Sequence, residues 1–149
     1  MTEARFWSQL RTKILQVRPT AVLMRVESGS TASGIPDVNY LVDGYEGWIE
    51  LKVAKVTRNG PVVTNLRPAQ ANWLYRRQAN GGRAWLLAGV KPPWVKAGNL
   101  ILVPGLLAPE LLKAKGSLNN MLAVYPKHVL IYPGDEAGVA EMLNTLLGG

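Results

Sequence analysis

Asp37, Glu50 and Lys52 are the residues of this chain whose types and spacing could do chemistry. Asp37 closes the run Gly34-Ile35-Pro36-Asp37, and after twelve intervening residues Glu50 stands two positions before Lys52 in Trp48-Ile49-Glu50-Leu51-Lys52. In a β-strand residues i and i+2 point the same way, so Glu50 and Lys52 share one face while Ile49, Leu51 and Val53 fill the other. Two carboxylates that converge at a strand pair make an oxygen-rich site for a hard divalent cation, magnesium above all, which keeps several waters and takes few protein ligands. A lysine beside them can hold or help deprotonate a water at the metal and offset negative charge building on a phosphate. That is phosphodiester hydrolysis in outline.

The set Gly34-Ile35-Pro36-Asp37, then Trp48 to Lys52, then Leu66-Arg67-Pro68-Ala69-Gln70 opening a helix resembles the PD-(D/E)XK nuclease superfamily. Within it the chain is similar to the small single-domain branch of VRR-NUC domains and archaeal and phage Holliday junction resolvases. The resemblance covers residues 1 to about 103. It implies a restriction-endonuclease-like αβββαβ core, and a magnesium ion, with manganese as substitute, held by Asp37, Glu50 and the backbone carbonyl of Leu51. Lys52 and Gln70 are then catalytic, Gln70 orienting water or phosphate near the lysine. An additional acid falls to Glu3 on the first helix or to Glu27 at the end of the first strand. The implied substrate is branched DNA, cut by a homodimer; flaps, nicks or ends are the alternative within the same fold. A non-catalytic nucleic-acid-binding domain that kept the fold is the alternative from another functional class.

Composition sets outer bounds. At 149 residues, 48% hydrophobic and 18% charged, the chain has the size of one domain and can bury a substantial core. It has no cysteine and one histidine, His128, which excludes a disulfide framework and leaves a zinc centre little to bind with. No apolar run reaches membrane-spanning length and no leader pattern opens the chain, so a cytoplasmic protein with no membrane partner is expected.

The net charge of +7 favours a polyanionic partner. Its distribution says more, because no carboxylate occurs between Glu50 and Glu110, while Lys55, Arg58, Arg67, Arg76, Arg77 and Arg83 all do. Lys55, Arg58, Arg67, Arg76 and Arg77 are candidate DNA contacts; the alternative is a solvated basic face. Ser28 and Ser30, in the small-residue loop 28–34, either approach a phosphate or belong to a flexible connector.

The elements that must position these residues follow from periodicity. Phe6, Trp7, Leu10, Ile14 and Leu15 predict an amphipathic helix from Thr2, its N-cap, to about Val17, stopped by Pro19. Residues 21–27 read as a strand buried on both faces. Alternation over 37–43, a turn at Gly44 and a strand over 48–56 predict a hairpin that sets Asp37 near Glu50. Asn59-Gly60-Pro61 marks a loop, and Pro68 starts a helix to about Ala79, stopped by Asn80-Gly81-Gly82. A buried strand follows over 84–90, then a stiff Pro92-Pro93-Trp94 connection and a strand over 99–103. Beyond residue 104 a short helix over 108–115, an edge strand over 129–132 and a last helix capped by Asp135 form an extension. The expected fold class is α/β, a mixed central sheet flanked by helices.

Overall fold

Apolar residues at helical spacing near the start and end of the chain, with strand-like runs between them, become a sheet covered on both faces. The structure, a computed structural model, describes residues 2–26, 34–57, 62–90 and 99–148. Glu27, Ser28, Ser30 and Arg58, most of the small-residue loop, and the turns read at 59–61 and 92–94 lie outside the described residues.

Helix α1 (Glu3–Val17) starts where Thr2 Oγ1 accepts from the amide of Arg5 at 3.1 Å, and it buries Phe6, Trp7, Leu10 and Ile14. It stops before Pro19, which has no N–H to give and disfavours helical geometry just ahead of it. Strand β1 (Val22–Arg25) pairs antiparallel with β2 (Val38–Val42), which pairs antiparallel with β3 (Tyr45–Val53). The β2–β3 turn is Asp43-Gly44, both at positive φ (51° and 84°), the handedness that a two-residue hairpin needs to match strand twist.

Beyond β3 the chain forms a small side hairpin, β4 (Lys55–Val56) with β5 (Val62–Val63), and then helix α2 (Pro68–Ala79). Strand β3 thus ends at Val53 rather than at residue 56. Its parallel partner β6 (Ala84–Val90) pairs only as far as Val53 with Gly89, and the amide of Ala54 closes on the Gly89 carbonyl at 3.0 Å. Strands β7 (Asn99–Pro104) and β8 (Leu130–Pro133) complete a six-stranded sheet of order β1-β2-β3-β6-β7-β8. The fold is α/β with a mixed sheet, β3–β6 its one parallel pair among the described residues.

After β7 come a 3-10 turn (Gly105–Leu107), α3 (Ala108–Lys113), α4 (Leu118–Val124) and α5 (Glu136–Gly148). Asp135 Oδ1 accepts from the Gly138 amide at 2.8 Å and caps α5. One core lies between the sheet and α1 with α5, the other between the sheet and α2, α3 and α4. Strand β6 feeds both: Trp85 and Leu87 face the first, Leu86, Ala88 and Val90 the second, as a continuous apolar run in a parallel pair should. The apolar stripe of α5 (Val139, Met142, Leu143, Leu146) is spent on its own sheet and α1. Tyr40 ties these parts together, donating to the Leu146 carbonyl at 3.1 Å and accepting from Trp85 Nε1 at 3.2 Å.

Strand β1 departs from the expectation of burial on both faces. Leu23 packs into the α1 core, whereas Val22 and Met24 are 59% and 53% exposed. The reason is position: β1 is a sheet edge, while α2 packs on β6 and meets β3 through its side chains. No described helix is long and apolar enough to cross a membrane.

Candidate active site

The pleat of β3 turns Glu46, Trp48, Glu50 and Lys52 toward α2. Helix α2 answers with Gln70, Trp73 and Arg77, at i, i+3 and i+7 on one of its faces. The two stripes run antiparallel and meet side chain to side chain. Gln70 Nε2 donates to Glu50 Oε2 at 3.0 Å. The Trp73 and Trp48 rings meet edge-on, centroids 5.4 Å apart. Arg77 lies 3.8 Å from the Glu46 carboxylate, with its guanidinium 5.4 Å from the Trp73 centroid and 5.9 Å from that of Trp48.

At the Gln70 end the polar groups converge. Lys52 Nζ donates to Gln70 Oε1 at 3.1 Å and stands 3.5 Å from Glu50 Oε2. Gln70 Oε1 also accepts from the Arg67 amide at 3.0 Å, so the side chain that caps α2 bridges lysine and glutamate. Asp37 Oδ2 accepts from the Leu51 amide at 2.8 Å, which pins its carboxylate beside β3. For Leu51, expected to offer a carbonyl to the metal, the contact observed is this amide.

Gly34 explains how Asp37 reaches this place. Its φ is +68°, and a Cβ there would sit 2.4 Å from the Ala69 carbonyl oxygen, inside the first turn of α2. Only glycine takes that conformation at no steric cost and lets the backbone come so close. The Gly-Ile-Pro-Asp turn is therefore seated directly on the helix that carries Gln70.

Electrostatics marks the cluster as strained. Glu50 is buried, and its carboxyl is pushed up from the usual 4.5 to about 8, first by burial and then by the negative charge of Asp37. Lys52 pulls it down, while a hydrogen bond with Asp37 and the charge of Glu3 push it further up. Glu3, in the first turn of α1, is itself raised, by burial first and then by Asp37, against the pull of Lys52 and Arg25. Glu3 thus belongs to the same electrostatic neighbourhood as Asp37, Glu50 and Lys52.

Among the described residues no three His, Cys, Asp or Glu side chains are grouped as a ready metal cage. Magnesium asks less, since one or two carboxylates with water suffice. The Asp37–Glu50 pair fits it: half-buried Asp37 acts on buried Glu50, whose carboxyl resists ionisation, and a divalent cation would relieve that repulsion.

The candidate basic residues are distributed unevenly. Lys55, Arg67 and Arg76 are exposed, on β4, at the N-cap of α2 and on its last turn. Arg77 is engaged with Trp48, Trp73 and Glu46 at the end of α2 remote from Gln70. Sequence reading does not foresee that stack, although the 70, 73, 77 spacing carries its signal. His128 is exposed, apart from the cluster. Comparison of the chain with protein-family models and with curated proteins gives no match.

Proposed function

We propose that this protein is a magnesium-dependent endodeoxyribonuclease of the PD-(D/E)XK kind, acting on branched DNA in the manner of a Holliday junction resolvase. The observation that carries the reading is the bonded chain Lys52–Gln70–Glu50 with Asp37 beside it, at one end of a β-hairpin. A structural ion pair does not need a second carboxylate that opposes its ionisation, whereas a hydrolytic site does.

Asp37 and Glu50 would hold the cation. When bound, magnesium supplies Lewis-acid polarisation of the phosphate and lowers the pKa of a water. Gln70 fixes Lys52 and Glu50 relative to each other, and the Leu51 amide fixes Asp37, so the donors and acceptors are oriented before substrate arrives. Lys52, 12% exposed, keeps its ammonium where negative charge would develop on the phosphate. Glu3 adds an acid from α1 to the same place.

Symmetric cuts in two strands call for two active sites, so the reading includes a two-fold homodimer, working in the cytoplasm. The test is incubation with four-way junction, flap, nicked and linear duplex DNA, with and without magnesium, followed by mapping of the cuts. Asp37→Asn and Glu50→Gln should abolish cleavage and leave DNA binding intact or tighter. Full activity in either variant, or no metal-dependent cutting of any of these substrates by the wild type, overturns the reading.

A further inference from the structure

Next to the catalytic cluster the sheet carries an apolar shelf that no described element covers. The register of β1, β2 and β3 puts side chains of the α2-facing side in rows: Val22, Leu41 and Glu46 in one, Met24, Asn39 and Trp48 in the next, then Asp37 and Glu50. Helix α2 covers the β3 end of these rows, and the β1–β2 end stays open, with Val22, Met24 and Leu41 at 59%, 53% and 43% exposure. From Asp37 to Leu41 is four strand residues, about 13 Å. That is the reach of a few nucleotides, at about 3.4 Å per stacked base.

We propose that this shelf holds unpaired nucleobases of the strand being cut, so that the preferred substrate has a single-stranded segment within a few nucleotides of the scissile phosphate. The inference rests on the nuclease reading and narrows its branched substrates to those with unpaired nucleotides at the branch. Three considerations favour this occupant. A whole side chain of this kind carries on the order of 100 Å², so the shelf offers on the order of 150 Å². A stable protein interface needs roughly 800 Å² per partner, whereas one or two base faces are matched in size.

Charge points the same way. Among the described residues Glu46, in the Val22–Leu41 row, pairs with Arg77 at 3.8 Å and Asp43, at the hairpin turn, with Arg18 at 3.3 Å, while Asp37 and Glu50 at the other end are the acids assigned to the cation, in a chain of net charge +7. A polyanionic strand therefore meets a neutralised border on its way across. Lastly, duplex DNA turns phosphates and sugars outward and hides its base faces in the stack, so apart from groove-bound thymine methyls it has little apolar surface to lay on Val22, Met24 and Leu41. An unpaired strand has more, and apolar side chains pack on exposed base faces in many nucleic-acid sites.

The test compares a blunt duplex with the same duplex bearing a short unpaired tail that carries 2-aminopurine, both measured in calcium. The shelf variant is Val22→Ser with Met24→Ser and Leu41→Ser. Wild type should bind the tailed DNA more tightly and change the 2-aminopurine emission. The variant should lose about tenfold in tail affinity, the scale of one stacked base, and bind blunt duplex as wild type does. Because a triple variant can fail to fold, the methyl resonance of Met24 in wild-type protein, assigned with Met24→Leu, is followed as well. It should shift with tailed DNA and stay with blunt.

An unmoved Met24 resonance, or equal tail preference in folded variant and wild type, overturns the shelf even where wild type cuts DNA. A wild type that cuts nothing but shows the Met24 shift overturns the nuclease reading and supports the shelf. A wild-type dimer that the triple variant dissociates would make the shelf an interface between copies and refute the inference.

Discussion

Gln70 stands between Lys52 and Glu50, its Oε1 3.1 Å from the lysine Nζ and its Nε2 3.0 Å from the glutamate Oε2. One amide thus accepts from the cation and donates to the anion, and because the Arg67 amide also binds it at 3.0 Å the start of α2 is locked to the site. Gln70→Met keeps the volume and removes both bonds. Removing such a supporting group lowers activity or metal affinity by about 10–100-fold, and the stranded polar partners should cost about 1–3 kcal/mol of stability. Single-turnover cleavage and calorimetric magnesium titration check this; a wild-type rate would reduce Gln70 to a helix cap.

On the nuclease reading Lys52 should separate chemistry from binding. It sits beside Glu50 and is oriented by Gln70, so its ammonium is in place before reaction. Lys52→Ala should slow cleavage by a factor on the order of 10²–10³, the range for losing one preorganised donor. Affinity for DNA measured in calcium should change little, because Asp37, Glu50 and the exposed Arg67 and Arg76 remain. Normal turnover in folded variant protein would refute the role.

Gly34→Ala tests the seating of the Asp37 turn. The substitution places a Cβ against the Ala69 carbonyl at a positive φ, so either the turn or the first turn of α2 must move. The left-handed conformation alone costs about 1–2 kcal/mol for an L-residue, and the collision adds to it. A lowered melting temperature with a larger loss of kcat than of DNA affinity is expected. Unchanged kcat would mean that Asp37 is positioned without Gly34.

How much of this is legible in the sequence follows from which constraints are local. The Asp43-Gly44 turn and the period of two in β2 and β3 fix which way Asp37 and Glu50 point, and both are read within a dozen residues. What Gln70 touches is not local, because the height of α2 over β3 depends on the side hairpin and on Gly34 meeting Ala69. Val22 and Met24 mislead because an apolar run looks the same whether a strand is central or at an edge; only the end of α2's coverage decides. Arg77 shares a helix side with Gln70 and Trp73 in the sequence, but its place is set as well by Trp48, a residue of another element.

On the nuclease reading Arg77 should therefore divide stability from DNA binding. Arg77→Met should lower stability by about 0.5–1 kcal/mol, the worth of an exposed cation–π interaction, and leave the salt dependence of DNA binding nearly unchanged. Replacing Lys55, Arg67 and Arg76 by alanine should flatten that dependence, by about 0.9 in log-log slope for each phosphate that is no longer neutralised. Binding titrations between low and moderate salt decide it. An unchanged slope in the triple variant would make these residues a solvated face.

Glu50 predicts an unusual pH dependence. Its carboxyl titrates near the usual 4.5 in the unfolded chain and is pushed up to about 8 in the fold, by burial and then by Asp37. Between those values the folded state keeps a proton that the unfolded chain has released, so stability falls as pH rises across the window. The contribution is fully present below 4.5 and lost above about 8. In chelator, the melting temperature of wild type should decline across this range relative to Glu50→Gln, whose amide cannot titrate. In the proposed site magnesium would work against the proton: it needs the carboxylate, so its binding would release the proton and its apparent affinity should rise with pH. The gain in melting temperature on adding magnesium should therefore widen from mildly acidic pH toward about pH 8 and vanish in Glu50→Gln. Parallel profiles for the two proteins without metal would show that Glu50 is ionised throughout, and a pH-independent magnesium effect would remove Glu50 from the cation site.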